Sequence, residues 1–200
     1  MAIKFQYNKT ALQDLNKQLQ IRVRALPTIK NKETALRIEV KKAKDEAALL
    51  DKKLAERIKA YEYMTRLWAE FDPALITIKD VELSVKKIAG VQTPVLDDII
   101  FEIRDFSQIN KPDWFYDGIT VLEELAKVAI ERDFFYRKMQ LLEYARKKTT
   151  QKVNLYEKVQ IPGYEDAILK IKRFLEDEEN LDKSSQKIVK KRQQQAEETV

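Results

Sequence analysis

The 200-residue sequence contains no histidine and no cysteine. Without cysteine, neither a disulfide framework nor a thiolate metal site can form. Without histidine, the chain lacks the usual serine and cysteine triads, the common zinc sites and the commonest general base near pH 7. The sequence therefore predicts a protein that is non-catalytic on its own and that needs no metal and no cofactor.

Glycine and long apolar runs are scarce as well. Gly90, Gly118 and Gly163 are the only glycines, so the sequence has no glycine-rich phosphate loop. It has no run of about 18 apolar residues that would span a membrane, and its first residues lack the apolar core of a signal peptide. We therefore predict a cytoplasmic protein with no direct membrane insertion.

Apolar residues recur in steps of three and four from Leu12 to Trp68 without a change of phase. Of these 17 positions, 14 are apolar, and the exceptions are Arg22, Glu33 and Arg57. A mean repeat of about 3.5 residues keeps one narrow stripe facing a partner helix, so the series predicts a long helix over residues 9–70. The first seam comprises Leu12, Leu15, Leu19, Arg22, Leu26, Ile29, Glu33, Leu36, Val40, Ala43, Ala47, Leu50, Leu54, Arg57, Tyr61, Met64 and Trp68.

A second series runs from Val121 to Tyr156, where eight of eleven positions are apolar, and resumes at Ile161 in a shifted phase. The step of five residues between Tyr156 and Ile161 lies beside a proline and a glycine, the two poorest residues for a helix interior. We predict a kink or short break at residues 162–163, after which the helix resumes. Pro27 leaves the first seam in phase and predicts only a mild bend.

The segment between the two series, residues 71–117, differs in character. It holds three of the five prolines and several runs of β-branched residues that alternate with polar ones. This pattern predicts a β-hairpin with its turn between Gly90 and Pro94, although Asp97 and Asp98 interrupt the second strand.

Two long helices that each carry one narrow apolar stripe can bury those stripes against one another by folding back antiparallel. The predicted fold is therefore all-α: a long antiparallel coiled-coil helical hairpin with a short β-hairpin insert at the turn end. We predict a single elongated domain over residues 1–200. It comprises a helix over 9–70, a connecting region over 71–117, a helix over 118–192 and a tail over 193–200.

The net charge of +5 is spread unevenly along the chain. Residues 1–70 hold 16 Lys and Arg against 9 Asp and Glu, whereas residues 71–117 hold 5 against 9. Antiparallel folding would gather the basic residues of both termini at one tip, where they could meet an acidic partner; solvation of a soluble helix surface is the alternative. Nucleic acid is not predicted, because aromatic residues that could stack on bases lie on the seams. The basic candidates are Lys17, Arg24, Lys30, Lys32, Lys183, Lys187, Lys190, Lys191 and Arg192.

Four local motifs resemble those of the D subunit of the V/A-type rotary ATPases. Residues 9–12 (Lys-Thr-Ala-Leu) resemble its N-terminal start, residues 30–36 its Lys-x-Lys-x-x-x-Leu stretch, and residues 88–94 the Gly-Val-x-x-Pro segment of its hairpin. The strongest match is Asn154, which stands seven residues before Ile161 and Pro162 inside a long amphipathic helix. The resemblance covers about residues 8–192.

This resemblance implies a central rotor shaft that couples ATP hydrolysis or synthesis to rotation of a membrane ring. It implies that both termini insert in the hexamer of A and B subunits, and that the F subunit binds alongside. The hairpin end would face a membrane-ring linker subunit, which would place the protein at the cytoplasmic face of the membrane. Since edge strands suit docking, the candidate hairpin residues are Val81, Leu83, Val85, Gly90, Val91, Pro94, Ile99 and Ile103.

Other classes remain open at this point. A coiled-coil tether or scaffold protein would explain the long helices, as would a chaperone with a helical hairpin, but neither needs an Ile-Pro motif or a hairpin insert. The gamma subunit of F-type ATP synthases carries an insert well over twice as long as residues 71–117. Proton or sodium coupling, and the direction of the reaction, cannot be read from this chain.

Overall fold

The computed structural model describes residues 3–106 and 111–197. Its main elements are α1 (Lys9–Ala60), β1 (Ile76–Ile88), β2 (Val91–Ile103), α2 (Phe115–Asn154) and α3 (Ile161–Glu197). Helices dominate and the two strands form one antiparallel sheet, which confirms the predicted class in this coarse form. Residues 107–110 of the predicted connecting region and 198–200 of the predicted tail lie outside the described residues.

The chain divides into two compact units. The terminal unit comprises Met1–Asn31 and Thr149–Val200, and the central unit comprises Lys32–Lys148. In the terminal unit, α1 and α3 run in opposite directions, because Leu15 clusters with Ile171 while Lys30, further along α1, binds Glu157.

Antiparallel helices also build the central unit. Arg146 lies 3.7 Å from Glu33 near one end of the pair, and Arg132 lies 3.6 Å from Asp51 further along. The order of these contacts along the two helices shows that α1 and α2 run in opposite directions. Within this unit, Leu36 and Leu142 are almost completely inaccessible to solvent.

The first seam is buried as the sequence predicts: each of its 17 residues is buried or half-buried. The three polar positions that interrupt the apolar series are no exception, because each contacts the opposite helix. A polar pair inside an apolar seam favours one alignment of two helices over others. The three pairs are Arg22 with Gln160, Glu33 with Arg146, and Arg57 with Glu124.

The hydrogen-bonded pair of Arg146 and Glu143 predicts that the stability of the fold depends on pH. Arg146 donates two hydrogen bonds to Glu143, at 2.6 and 2.8 Å, and these hold the pKa of Glu143 below its usual 4.5. A carboxylate with a lowered folded-state pKa stabilises the fold above its unfolded pKa and loses this effect as the pH falls through the folded value. We expect Glu143→Gln to lower the melting temperature at about pH 7, and this difference to shrink as the pH falls through the lowered folded-state pKa of Glu143. Thermal melts at a series of pH values test it, and a pH-independent difference would contradict it.

The first helix ends earlier than predicted, at Ala60 instead of residue 70. Two 3₁₀ turns follow, Glu62–Met64 and Leu67–Ala69, and the Met64 N–H donates to the Tyr61 carbonyl at 3.0 Å. A 3₁₀ turn repeats every three residues, so a seam step of three residues fits it as well as it fits an α-helix. The side chains of Tyr61, Met64 and Trp68 therefore stay in the seam after the α-helix has ended.

A π turn, Leu155–Gln160, joins α2 to α3 where a kink or break was predicted. The Ile161 N–H donates to the Tyr156 carbonyl five residues earlier, so this turn holds one residue more than an α-helical turn. The extra residue accounts for the five-residue seam step. A proline ring clashes with the carbonyl four residues before it, and the wider turn relieves this clash at Pro162. Of the two predicted alternatives, the short break does not occur, because the helix continues through residues 162–163; α1 likewise runs through Pro27.

The β-hairpin is longer than predicted and its turn lies elsewhere. Ala89 and Gly90 form the turn, with φ values of 49° and 85°, so both central residues adopt positive φ as a type I′ hairpin turn requires. Residues 92–94, which were predicted to lie in the turn, belong to β2, and Pro94 pairs with Val85. Because both strands are edge strands, a proline is tolerated there.

The acidic residues predicted to interrupt the second strand are accommodated by a β-bulge. Glu82 pairs with Asp98 and Leu83 pairs with Leu96, so Asp97 is the extra residue. Its carboxylate accepts a hydrogen bond from Ser84 Oγ at 3.1 Å. A bulge turns the following side chains to the other face of the strand.

Candidate partner-binding surfaces

The basic residues predicted to bind a partner are all exposed, and eight of the nine lie in the terminal unit. Two of them already bind a carboxylate of this chain: Lys30 Nζ lies 2.7 Å from Glu157 and Lys183 Nζ lies 3.1 Å from Glu179. Exposed pairs of this kind contribute about 0–1 kcal/mol each and exchange readily. The exposed basic residues are Lys17, Arg24, Lys30, Lys183, Lys187, Lys190, Lys191 and Arg192 in the terminal unit, and Lys32 in the central unit.

Lys32 does not belong with the other eight. Its Nζ lies 3.9 Å from the position that a Cβ would take on Gly90, at the turn of the hairpin. The base of the hairpin lies elsewhere, beside the first turns of α2, where Ile76 and Phe101 line a cavity with Leu122. The hairpin therefore begins beside the first turns of α2 and extends back along the helices of the central unit.

Where the middle of the hairpin meets α2, it forms an apolar groove of about 340 Å³. Three of the candidate hairpin residues, Val81, Leu83 and Pro94, line it from the strand side. Ile130 and Phe134 line it from α2, with Asp133 and Arg137 beside them.

The other candidate hairpin residues are placed differently. Val85 is 69% exposed, and Gly90 and Ile103 are exposed as well, so these three can be reached by a partner. Val91 is half-buried and Ile99 is buried, so Ile99 packs inside the protein and presents no surface. The bulge at Asp97 puts Leu96 and Ile99 on the same face of β2 although they are three residues apart, which alternation alone could not reveal.

The Asn-Ile-Pro motif marks the π turn. Asn154 and Pro162 are exposed, Ile161 is half-buried, and the Asn154 side chain makes no capping hydrogen bond within the described part of the chain. Because Leu155 is exposed as well, the motif leaves an outward surface on the turn that faces away from the seam.

Sequence reasoning missed the role of Arg22, which it treated as a gap in the first seam. Arg22 Nε donates to Gln160 Oε1 at 2.7 Å, and the guanidinium lies 4.6 Å from the centre of the Tyr164 ring and 5.9 Å from that of Tyr156. The guanidinium is within cation–π range of both rings, and together with the Gln160 hydrogen bond these contacts hold α1 against the π turn. The signal available in the sequence was a polar residue, Arg22, in the first seam, together with the five-residue step from Tyr156 to Ile161 in the second.

Within residues 3–106 and 111–197, acidic residues do not form a group suited to a metal ion. Across the same ranges, every helix is too short in apolar sequence or too charged to cross a membrane. The candidate surfaces described above present charged side chains, exposed apolar side chains and strand edges to a partner.

A comparison with protein families matched most of the chain. The family described as the D subunit of ATP synthase matches residues 11–191, which include the hairpin, the π turn and most of both units. A search of the curated proteins gave no match. The chain therefore belongs to the family of ATP synthase D subunits, the family of the V/A-type ATPase stalk subunit that its sequence motifs resemble.

Proposed function

We propose that this stalk subunit is the central rotor shaft of a V/A-type rotary ATPase or ATP synthase. In this role it turns inside the hexamer of A and B subunits and couples ATP hydrolysis or synthesis to rotation of the membrane ring. The family match supports membership of the ATPase complex, and the resemblance of its motifs to the D subunit implies the rotor role, with which the geometry agrees.

The observation that carries the proposal is the continuous first seam. Its 17 positions stay buried or half-buried, and polar pairs link α1 to the opposite helix in both units. A shaft that transmits torque must resist sliding and separation of its helices, and a buried seam with fixed alignment supplies both. We propose on this basis that the two helices form one antiparallel coiled-coil hairpin.

The exposed basic residues of the terminal unit suit the surrounding hexamer. A rotating contact must form and break at each step, so many weak ion pairs serve better than a few strong ones. Exposed pairs at about 0–1 kcal/mol each meet this need, and complementary charge also speeds encounter. We propose that these residues face carboxylates of the A and B subunits.

The hairpin suits a different partner. Its groove and its exposed residues Leu83 and Val85 are apolar, and its outer strand edges carry backbone groups that another strand can bind. We propose that this face contacts the F subunit or the linker to the membrane ring.

The experiment is reconstitution of the full chain with the hexamer of A and B subunits, followed by measurement of assembly and ATP turnover. A variant with Lys187, Lys190, Lys191 and Arg192 changed to Gln should assemble more weakly than the parent at about 50 mM salt, and the difference should shrink at high salt.

A control variant changes three exposed lysines of the hairpin to Gln: Lys79, Lys86 and Lys87. These residues lie in the central unit, so the control should assemble with the hexamer as the parent does. If the variant with Lys187, Lys190, Lys191 and Arg192 changed to Gln assembles and supports turnover as the parent does at about 50 mM salt, the proposed basic contact is contradicted. A parent chain that neither assembles with the hexamer nor supports turnover would overturn the rotor proposal.

A further inference from the structure

The segment before α1 has its own apolar pattern. Ile3, Phe5 and Tyr7 alternate with Lys4 and Gln6, and the backbone of residues 3–6 is neither helical nor paired in a sheet. Ile3 and Phe5 are half-buried whereas Lys4 and Gln6 are exposed. A period of two residues with one side covered is the pattern of an extended chain that lies on an apolar surface.

That surface is the core of the terminal unit. Ile3 and Phe5 pack against the buried cluster of Leu15, Ala167, Ile168 and Ile171, to which both α1 and α3 contribute. The segment therefore touches the seam between the two helices and is not a free extension of α1.

Aromatic contacts continue along α3. The Phe5 and Tyr7 rings lie edge to face with centroids 5.3 Å apart, and the Tyr7 ring lies 4.8 Å from that of Phe174. Edge-to-face and tilted ring pairs at these distances add to the stabilisation from burial.

The two ends of the segment fix its direction. Ile3 lies beside Gly163 and Tyr7 lies beside Phe174, so its contacts advance along α3 by roughly 16 Å at about 1.5 Å per residue. Four steps of extended chain span about 13 Å, which matches this advance when the reach of the side chains is added. The segment therefore runs alongside α3 in the same direction.

Gly163 is the point of closest approach. A Cβ at this position would lie 3.2 Å from Ile3 Cδ1 and 3.7 Å from Ile3 Cγ1, and the shorter distance is tighter than an ordinary van der Waals contact. Glycine is among the poorest helix formers, yet position 163 lies in the first turn of α3. Close contact with Ile3 gives a physical reason for a glycine at a helical position.

We propose that residues 3–7 form a strap that closes the apolar groove between α1 and α3, and that Gly163 is the notch that admits the strap. The strap covers the helix pair directly after the π turn, so it holds the start of α3 against α1. This inference does not depend on the rotor role, because it concerns the folding of the terminal unit alone.

The first test compares two double variants of the full chain. Ile3→Ala with Phe5→Ala removes the inward face of the strap, and Lys4→Ala with Gln6→Ala removes its outward face. We expect amide hydrogen exchange of residues 164–175 to quicken at least about tenfold in the first variant and to stay within about twofold of the parent in the second. Equal exchange rates in the two variants would overturn the proposal.

The second test places Gly163→Gln in the parent and in the Ile3→Ala, Phe5→Ala background. Glutamine is a better helix former than glycine, so without the inward face of the strap it should raise the melting temperature by about 2–4 °C. In the parent the longer side chain should displace Ile3, and this rise should be absent or reversed. An equal rise in both backgrounds would show that the notch and the strap are not coupled.

Discussion

Removing Lys158 from the π turn should leave the chain folded, whereas removing Lys44 from α1 should abolish most of its stability. Both residues are exposed, and each deletion shortens a long helix by one residue. The difference arises because the π turn holds one residue more than an α-helical turn, whereas α1 is α-helical throughout and has no extra residue to lose. A deletion in the π turn can therefore be absorbed by its conversion to α-helix.

After deletion of Lys158, the seam step from Tyr156 to Ile161 becomes four residues and the second series continues in phase. Pro162 would then lie inside a regular α-helix, where its ring clashes with the preceding turn at a cost of about 3 kcal/mol. Most of this loss should be recovered when Pro162→Ala is added. The two changes should therefore be strongly non-additive in thermal melts followed by circular dichroism.

After deletion of Lys44, all later residues of α1 rotate by about 100° relative to the earlier ones. Either the residues before it or those after it, such as Ala47 and Leu50, must leave the seam. Each large apolar side chain that loses its burial costs about 1.5–3 kcal/mol, against a total stability of about 5–15 kcal/mol for a typical domain. Equal melting temperatures for the two deletion variants would contradict the account of the π turn.

Truncation of Leu142 should strongly destabilise the central unit. Leu142 is 0% exposed, and Leu→Ala at such a site removes transfer energy and leaves a cavity, together worth about 2–5 kcal/mol. Leu141 is its neighbour on the same helix but is 40% exposed, so Leu141→Ala should cost far less. Chemical denaturation of both variants measures the difference directly.

The same comparison can be repeated at Leu36, which is 1% exposed and lies in the first seam. Leu49, at 62% exposed, is its control on α1. If the paired substitutions at 141 and 142, or at 36 and 49, cost the same, the seams are not the core of this protein.

Helical pairing could be predicted from the sequence because burial along a paired helix is periodic. A position such as Leu50 is apolar for the same reason that it is buried, and the repeat continues over many turns. The end of α1 could not be predicted in this way. The step from Tyr61 to Met64 is three residues in both an α-helix and a 3₁₀ turn, so the pattern stays the same when the hydrogen bonding changes.

The hairpin shows a second limit. Gly90 correctly marked the turn, but its partner in the turn is Ala89, a residue with no preference for positive φ. Propensity therefore placed the turn too late, toward Pro94. The bulge at Asp97 then reverses the alternation of β2, so that Leu96 and Ile99 lie on one face of the strand although they are three residues apart. Such a reversal follows from the pairing of two strands and is not encoded in one strand alone.

The exposure of the candidate basic residues could be predicted from the sequence, but their division between the two units could not. Exposure of Lys17 and Lys187 follows from their positions off the seams, which the periodicity defines. The separation of Lys32 from the others depends on where the hairpin turn comes to lie, and that is a matter of packing over long sequence distances.

The polar pairs within the seams also bear on how the chain finds its fold. Two purely apolar stripes can slide past one another by a heptad and still bury nearly the same surface, which would leave several misaligned states of similar energy. In a slipped state Glu33 would face apolar residues in place of Arg146 and lose the partner that balances its desolvation. A chain with leucine at these positions would gain hydrophobic surface while several alignments competed. The charged pairs thus give less stability than leucine would at these positions, but they favour one alignment of the helices over the others.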